Sequence, residues 1–119
     1  MAIVDDDRPM CKAMARLVRL HGYTAYTFTS AEAFLASPHL TETECLITDI
    51  RMPGMSGFDL KRALTSSGYD IPVIFVTGHG EERGMADAAG FLTKPFDGHA
   101  LIGCLRAALG VPAESETAR

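Results

Sequence analysis

Cys45-Leu46-Ile47-Thr48-Asp49 is an apolar run that ends on a carboxylate, and its reading decides the fold. The run does not alternate with polar residues, so it suits a strand covered on both faces, as at the centre of a parallel sheet. Three other stretches have the same form. Ile3-Val4 runs into Asp5-Asp6-Asp7, Val73-Ile74-Phe75-Val76 into Thr77, and Phe91-Leu92-Thr93 into Lys94-Pro95. Parallel strands place their C-terminal ends along one edge, where open α/β sheets hold their ligands. The four polar ends are therefore expected to converge.

Helical periodicity fills the gaps between these strands. Arg8–Leu20 places Met10, Ala13, Met14, Leu17 and Leu20 on one expected face and Lys12, Arg16 and Arg19 on the other, with Gly22 as the stop. Ala25–Phe28 reads as a strand, and Ser30 opens a short helix through Ala33-Phe34 that breaks near Pro38. Met52–Gly57 reads as a loop and Phe58–Thr65 as a helix. A brief helical stretch is expected over Glu81–Ala89. The last helix, Asp97–Leu109, turns Leu101, Cys104, Leu105, Ala108 and Leu109 inward and stops at Gly110. Five strand–helix units with right-handed crossovers make a parallel sheet with helices on both faces.

A length of 119 residues, 47% hydrophobic and 22% charged, fits one domain with a real core. We expect residues 1–110 to form it, with 111–119 a disordered tail. A net charge of −4 argues against a broad nucleic-acid surface, so no direct nucleic-acid partner is expected. The apolar runs are too short to cross a membrane, and no signal-peptide pattern is present. Cys11, Cys45 and Cys104 are odd in number and widely spaced, which suits reduced cysteines in a cytoplasmic protein, two of them in the core.

The chemistry lies at the strand ends. Asp5, Asp6 and Asp49 gathered together would repel one another unless a counter-charge joined them. Mg²⁺ suits such oxygen ligands, keeping several waters while using one or two carboxylates and a phosphate oxygen. Capping of the first helix explains only one acid, Asp7, ahead of Pro9. Beside a metal, the Asp49 carboxylate can attack phosphorus and form an acyl phosphate. The Thr77 hydroxyl can donate to a phosphoryl oxygen, and the Lys94 ammonium can neutralise it. Taken singly, Thr77 and Lys94 are ordinary strand-end and surface residues; taken together in this order, they form a site.

The stretches IVDDD (Ile3–Asp7), LITDIRMPGMSG (Leu46–Gly57), VIFVTGHG (Val73–Gly80) and FLTKPF (Phe91–Phe96) resemble the response-regulator receiver domains of bacterial two-component signalling. The second and third are particularly similar to the receivers of nitrogen-fixation-type regulators. The resemblance implies a flavodoxin-like (βα)₅ fold with strand order 2-1-3-4-5. It implies phosphorylation of Asp49 and Mg²⁺ held by Asp5, Asp6, Asp49 and the backbone carbonyl of Arg51. It further implies phosphoryl contacts from Thr77 and Lys94, and Phe91 as an aromatic that turns inward on activation. The Lys94–Pro95 bond is often cis in this family. The implied partners are a histidine kinase or phosphotransfer protein as donor, and a downstream output protein or domain.

Two departures qualify this likeness. The first strand is short, and fewer residues separate Thr77 from Lys94 than in the family pattern. The loss falls in the fourth helix, over Glu81–Ala89, which holds Gly84 and is expected to be stunted. The surface that commonly carries dimerisation is then altered, leaving a monomer or weak dimer. His79, in the loop beside the site, is read as a loop side chain. A phosphatase of the haloacid dehalogenase type would need an acid two residues after its nucleophile, where this chain has Arg51. The remaining alternative is a docking module with a receiver fold that ignores phosphorylation.

Overall fold

Each expected strand forms, and each runs in the same direction as its neighbours. The computed structural model describes residues 1–78 and 88–110. In chain order, the strands are β1 (Ala2–Val4), β2 (Tyr26–Phe28), β3 (Leu46–Asp49), β4 (Val73–Thr77) and β5 (Gly90–Thr93). The helices are α1 (Arg8–Leu20), α2 (Ala31–Leu35), α3 (Gly57–Ser66) and α4 (Gly98–Ala108), with a short 3₁₀ turn at Leu40–Glu42. All pairings are parallel, and the sheet order is β2-β1-β3-β4-β5. Thr48 lies opposite Val4, Asp49 opposite Val76 and Thr77 opposite Thr93, so the polar ends share one edge.

Alternation along the strands divides the core in two. Ile3, Ile47, Ile74 and Val76 pack with α1 and α4 through Cys11, Met14, Ala15, Val18, Leu101, Ile102 and Leu105. Ala2, Val4, Leu46, Val73 and Phe75 face the other way, onto Ala31 and Phe34 of α2 and Leu60 and Leu64 of α3. Helices therefore cover both faces, as the period-two geometry of a strand requires. This is the flavodoxin-like receiver architecture.

The buried row of α1 differs from the expected one. Cys11, Met14, Ala15 and Val18 face the sheet, whereas Leu20 is 75% exposed. Apolar residues surround more than half of this helix, so two neighbouring stripes satisfy a helical period. The sheet takes one of them. Met10, Ala13 and Leu17 of the other line a hollow of about 210 Å³ with Pro95, Phe96 and Gly98. In α4, Ile102 joins Leu101 and Leu105 in the core, while Cys104, Ala108 and Leu109 pack at its margin.

Most of the expected Glu81–Ala89 helix, His79 and the 111–119 tail lie outside the described residues. Ala88 and Ala89 are described and non-helical. The Ala89 N–H donates to Val73 O at 2.8 Å, leading the chain directly into β5.

Candidate functional site

Two loops at the C-terminal edge of the sheet frame the site. The first follows β1 and is short, because Asp7 already caps α1 and accepts the Met10 N–H at 3.2 Å. Asp5 is fully buried at its start: Oδ1 accepts the Asp7 N–H at 2.9 Å, and Oδ2 lies 3.3 Å from Lys94 Nζ. Asp6 is exposed. The second loop follows β3 and ends at α3, where Ser56 and Asp59 form a reciprocal capping box. A Cβ at Gly57 would collide with the backbone O of Asp49. Glycine thus lets the loop close against the end of β3, where the Gly57 N–H donates to Ile50 O at 2.9 Å.

Asp49, the last residue of β3, is 8% exposed. Its Oδ2 lies 3.6 Å from Lys94 Nζ. One carboxylate oxygen from each of Asp5, Asp6 and Asp49 can be chosen so that all three lie within 4.8 Å of one another. Burial, and then the charge of Asp5, pushes the Asp49 pKa up from 3.8 to about 6, even though Lys94 opposes the shift. Burial also works against the charge on Lys94, but Asp5 and Asp49 outweigh it and raise the lysine pKa. The lysine therefore stays cationic between two acids.

Lys94 is placed by the backbone. Its N–H donates to Thr77 O at 2.7 Å, extending the β4–β5 ladder by one residue, and a cis Lys94–Pro95 bond follows. Thr77 is 1% exposed at the end of β4. Arg51 lies two residues beyond Asp49 in the β3–α3 loop, with its side chain exposed. Phe91 is half-buried in β5, its ring centroid 5.5 Å from that of Phe75. Asp5, Asp6, Asp49 and Lys94 therefore meet in one cluster. Thr77 borders it on the same edge, Arg51 belongs to its loop, and Phe91 packs beside Phe75, two residues before the end of β5.

Two supporting contacts were not legible in the sequence. The Cys11 thiol donates to Asp5 O at 3.1 Å, and burial followed by Asp5 pushes its pKa to about 11. A thiol so protonated serves packing and a hydrogen bond, not nucleophilic chemistry. Glu32 of α2 accepts the Met55 N–H at 3.1 Å. No local spacing rule connects α2 to the β3–α3 loop, so no motif announces that contact.

Comparison with known proteins gives the same arrangement a lineage. The response regulator receiver domain family matches residues 1–106. Response regulator protein TodT of Pseudomonas putida is 43% identical over 112 residues, covering 90% of this chain and 49% of TodT. Transcriptional regulatory protein FixJ of Azorhizobium caulinodans is 40% identical over 117 residues, covering 94% of this chain and 56% of FixJ. The chain spans about half the length of these curated relatives. Among solved structures, response regulator StyR superposes with a TM-score of 0.83 at 36% identity, covering 99% of this chain and 62% of StyR. The structure titled FixJ-N gives 0.78 at 35% identity, covering 92% of this chain and 91% of that one. The chain belongs to the response regulator receiver domain family of two-component systems.

Proposed function

We propose that this receiver accepts a phosphoryl group on Asp49 from a phosphohistidine of a histidine kinase or phosphotransfer protein. One observation carries the reading: a buried carboxylate with a raised pKa stands beside two further acids and a lysine, at a parallel sheet's C-terminal edge. The donor set fits a hard divalent cation. Three carboxylate oxygens within 4.8 Å match oxygen ligation, and the shift at Asp49 is the strain that a cation relieves. Asp5, Asp6, Asp49 and the Arg51 carbonyl would hold Mg²⁺, which when bound neutralises the acids and charge on the phosphoryl oxygens.

The residues of this chain divide the work. An Asp49 carboxylate oxygen attacks phosphorus as the phosphorus–nitrogen bond to the donor imidazole breaks. The electron pair of that bond leaves on the imidazole nitrogen, and the product is an acyl phosphate. Lys94, 3.6 Å from Asp49 and 3.3 Å from Asp5, follows the new negative charge. The Thr77 hydroxyl donates to a phosphoryl oxygen. Its movement, with Phe91, changes the surface offered to a downstream output protein or domain. In this reading residues 1–110 form the receiver domain, acting in the cytoplasm as a monomer or weak dimer, and the receiver assists its own phosphorylation and dephosphorylation.

Incubation with Mg²⁺ and a small phosphodonor tests the assignment. Intact-mass measurement should show one added phosphoryl group on the wild-type chain and none on Asp49→Asn. Equal labelling of both would overturn it. Thr77→Ala and Lys94→Ala should fold but respond weakly to a phosphoryl mimic in an NMR titration.

A further inference from the structure

We propose that Glu32 is a positioning residue for the cation site, holding from α2 the loop that presents the Arg51 carbonyl. The inference rests on the reading above, in which that carbonyl is a ligand. The β3–α3 loop is pinned at its two ends, where Gly57 N–H meets Ile50 O and where Ser56 caps α3. Met52 is buried near its start. Its turn, Pro53-Gly54-Met55, lies beneath the Glu32 carboxylate. Oε2 accepts the Met55 N–H at 3.1 Å, and a Cβ on Gly54 would stand only 2.9 Å from the same oxygen. Gly54 adopts φ +78, so backbone conformation favours glycine there, and the absence of a Cβ leaves room for Glu32 to approach.

The clamp itself is anchored. Ser30 Oγ accepts the Ala33 N–H at 3.1 Å, and Ala31 and Phe34 on either side of Glu32 are buried in the core. Glu32 is no member of the acid cluster formed by Asp5, Asp6 and Asp49. It acts instead on loop geometry, through a charge-assisted hydrogen bond to a backbone that is short and closed at both ends. Releasing Met55 lets the turn rotate, and Arg51, four residues upstream in the same closed loop, loses its fixed carbonyl direction. Groups hydrogen-bonded directly to a metal ligand typically govern about 10–100-fold in metal affinity, and Glu32, acting at one remove, is expected at the low end of that range.

The test is Mg²⁺ titration by calorimetry on the full chain as wild type, Glu32→Ala and Glu32→Gln, with thermal unfolding of each recorded without metal. Gln keeps an acceptor oxygen at the same reach but removes the charge. We expect Glu32→Ala to weaken binding about tenfold while Glu32→Gln stays within about threefold of wild type, and the three melting curves to lie close together. Equal loss in both variants would assign the effect to net charge and overturn positioning. Wild-type affinity in Glu32→Ala would overturn this inference alone, whereas a wild-type chain that binds no Mg²⁺ would overturn it together with the site reading.

Discussion

The loops after β1 and β3 begin alike and end differently. Each follows an interior strand, each opens on a buried aspartate, and each closes on a helix cap, Asp7 in one and Ser56 in the other. Asp5 is met at once by the Asp7 N–H and the Lys94 ammonium. Asp49 has a more distant ammonium, at 3.6 Å, and burial lifts its pKa to about 6. Asp5, met by fixed partners on both oxygens, is suited to hold a ligand in place, whereas Asp49, buried beside a more distant cation, is suited to react by taking up phosphorus. Equivalent positions in one sheet thus acquire different chemistry from loop length and from neighbouring donors.

Replacing the strained member should have the largest effect. Asp49→Asn should lose phosphoryl labelling altogether. Without metal at pH 7 it should also be more stable than wild type, by about 2–3 kcal/mol in a denaturant titration. The sign follows from the raised pKa. Between pH 3.8 and about 6, the folded state holds a proton that the unfolded state has released, so stability falls as pH rises through that window. Metal-free wild type should therefore lose stability on going from pH 4 to pH 7 relative to Asp49→Asn, and saturating Mg²⁺ should narrow the gap. If the two proteins kept a constant difference across that range, the contrast between Asp5 and Asp49 would fail. Mg²⁺ affinity should itself decline below pH 6 as protons compete for Asp49.

A somewhat smaller effect should come from the second loop's closure. Gly57→Ala forces a methyl group into the Asp49 backbone, and overpacking of this kind costs about 1–3 kcal/mol. Chemical denaturation would measure it, and a neutral result would mean that the loop yields easily. The first loop separates its acids most finely. Asp7→Ala should cost about 1 kcal/mol through loss of the α1 cap while sparing Mg²⁺ affinity; Asp6→Ala should do the reverse. Calorimetry that found the opposite order would move the cation site by one residue.

The strands and their polar ends were legible because continuous apolar runs and their terminating residues are local signals. β3 and β4 run through Asp49 and Thr77, which places both polar ends in the ladder itself. The orientation of α1 was harder to read. Its sequence supplies two apolar stripes, and only packing against Ile3 and Ile47 selects the row containing Cys11 and Val18. Two contacts outside the strand-end motifs left no signature. Glu32 meets a loop 23 residues away, and Cys11 donates to a backbone carbonyl that any residue could supply at position 5. Such ties depend on how helices settle on the sheet, which residue type and spacing do not encode.

The sheet order has a consequence for how the chain assembles. β1, made first, lies between β2 and β3, with Ala2 paired to both Tyr26 and Leu46. A nascent chain can close the β1–β2 pair early, but the other edge of β1 stays open until Leu46 has been made. Across that interval Ile3 and Val4 belong to an apolar strand with unsatisfied backbone groups, a template for pairing with another chain. Fragments ending before Leu46 should therefore aggregate, and fragments extending through α3 cover β1 but pass the open edge to β3 until Val73 has been made.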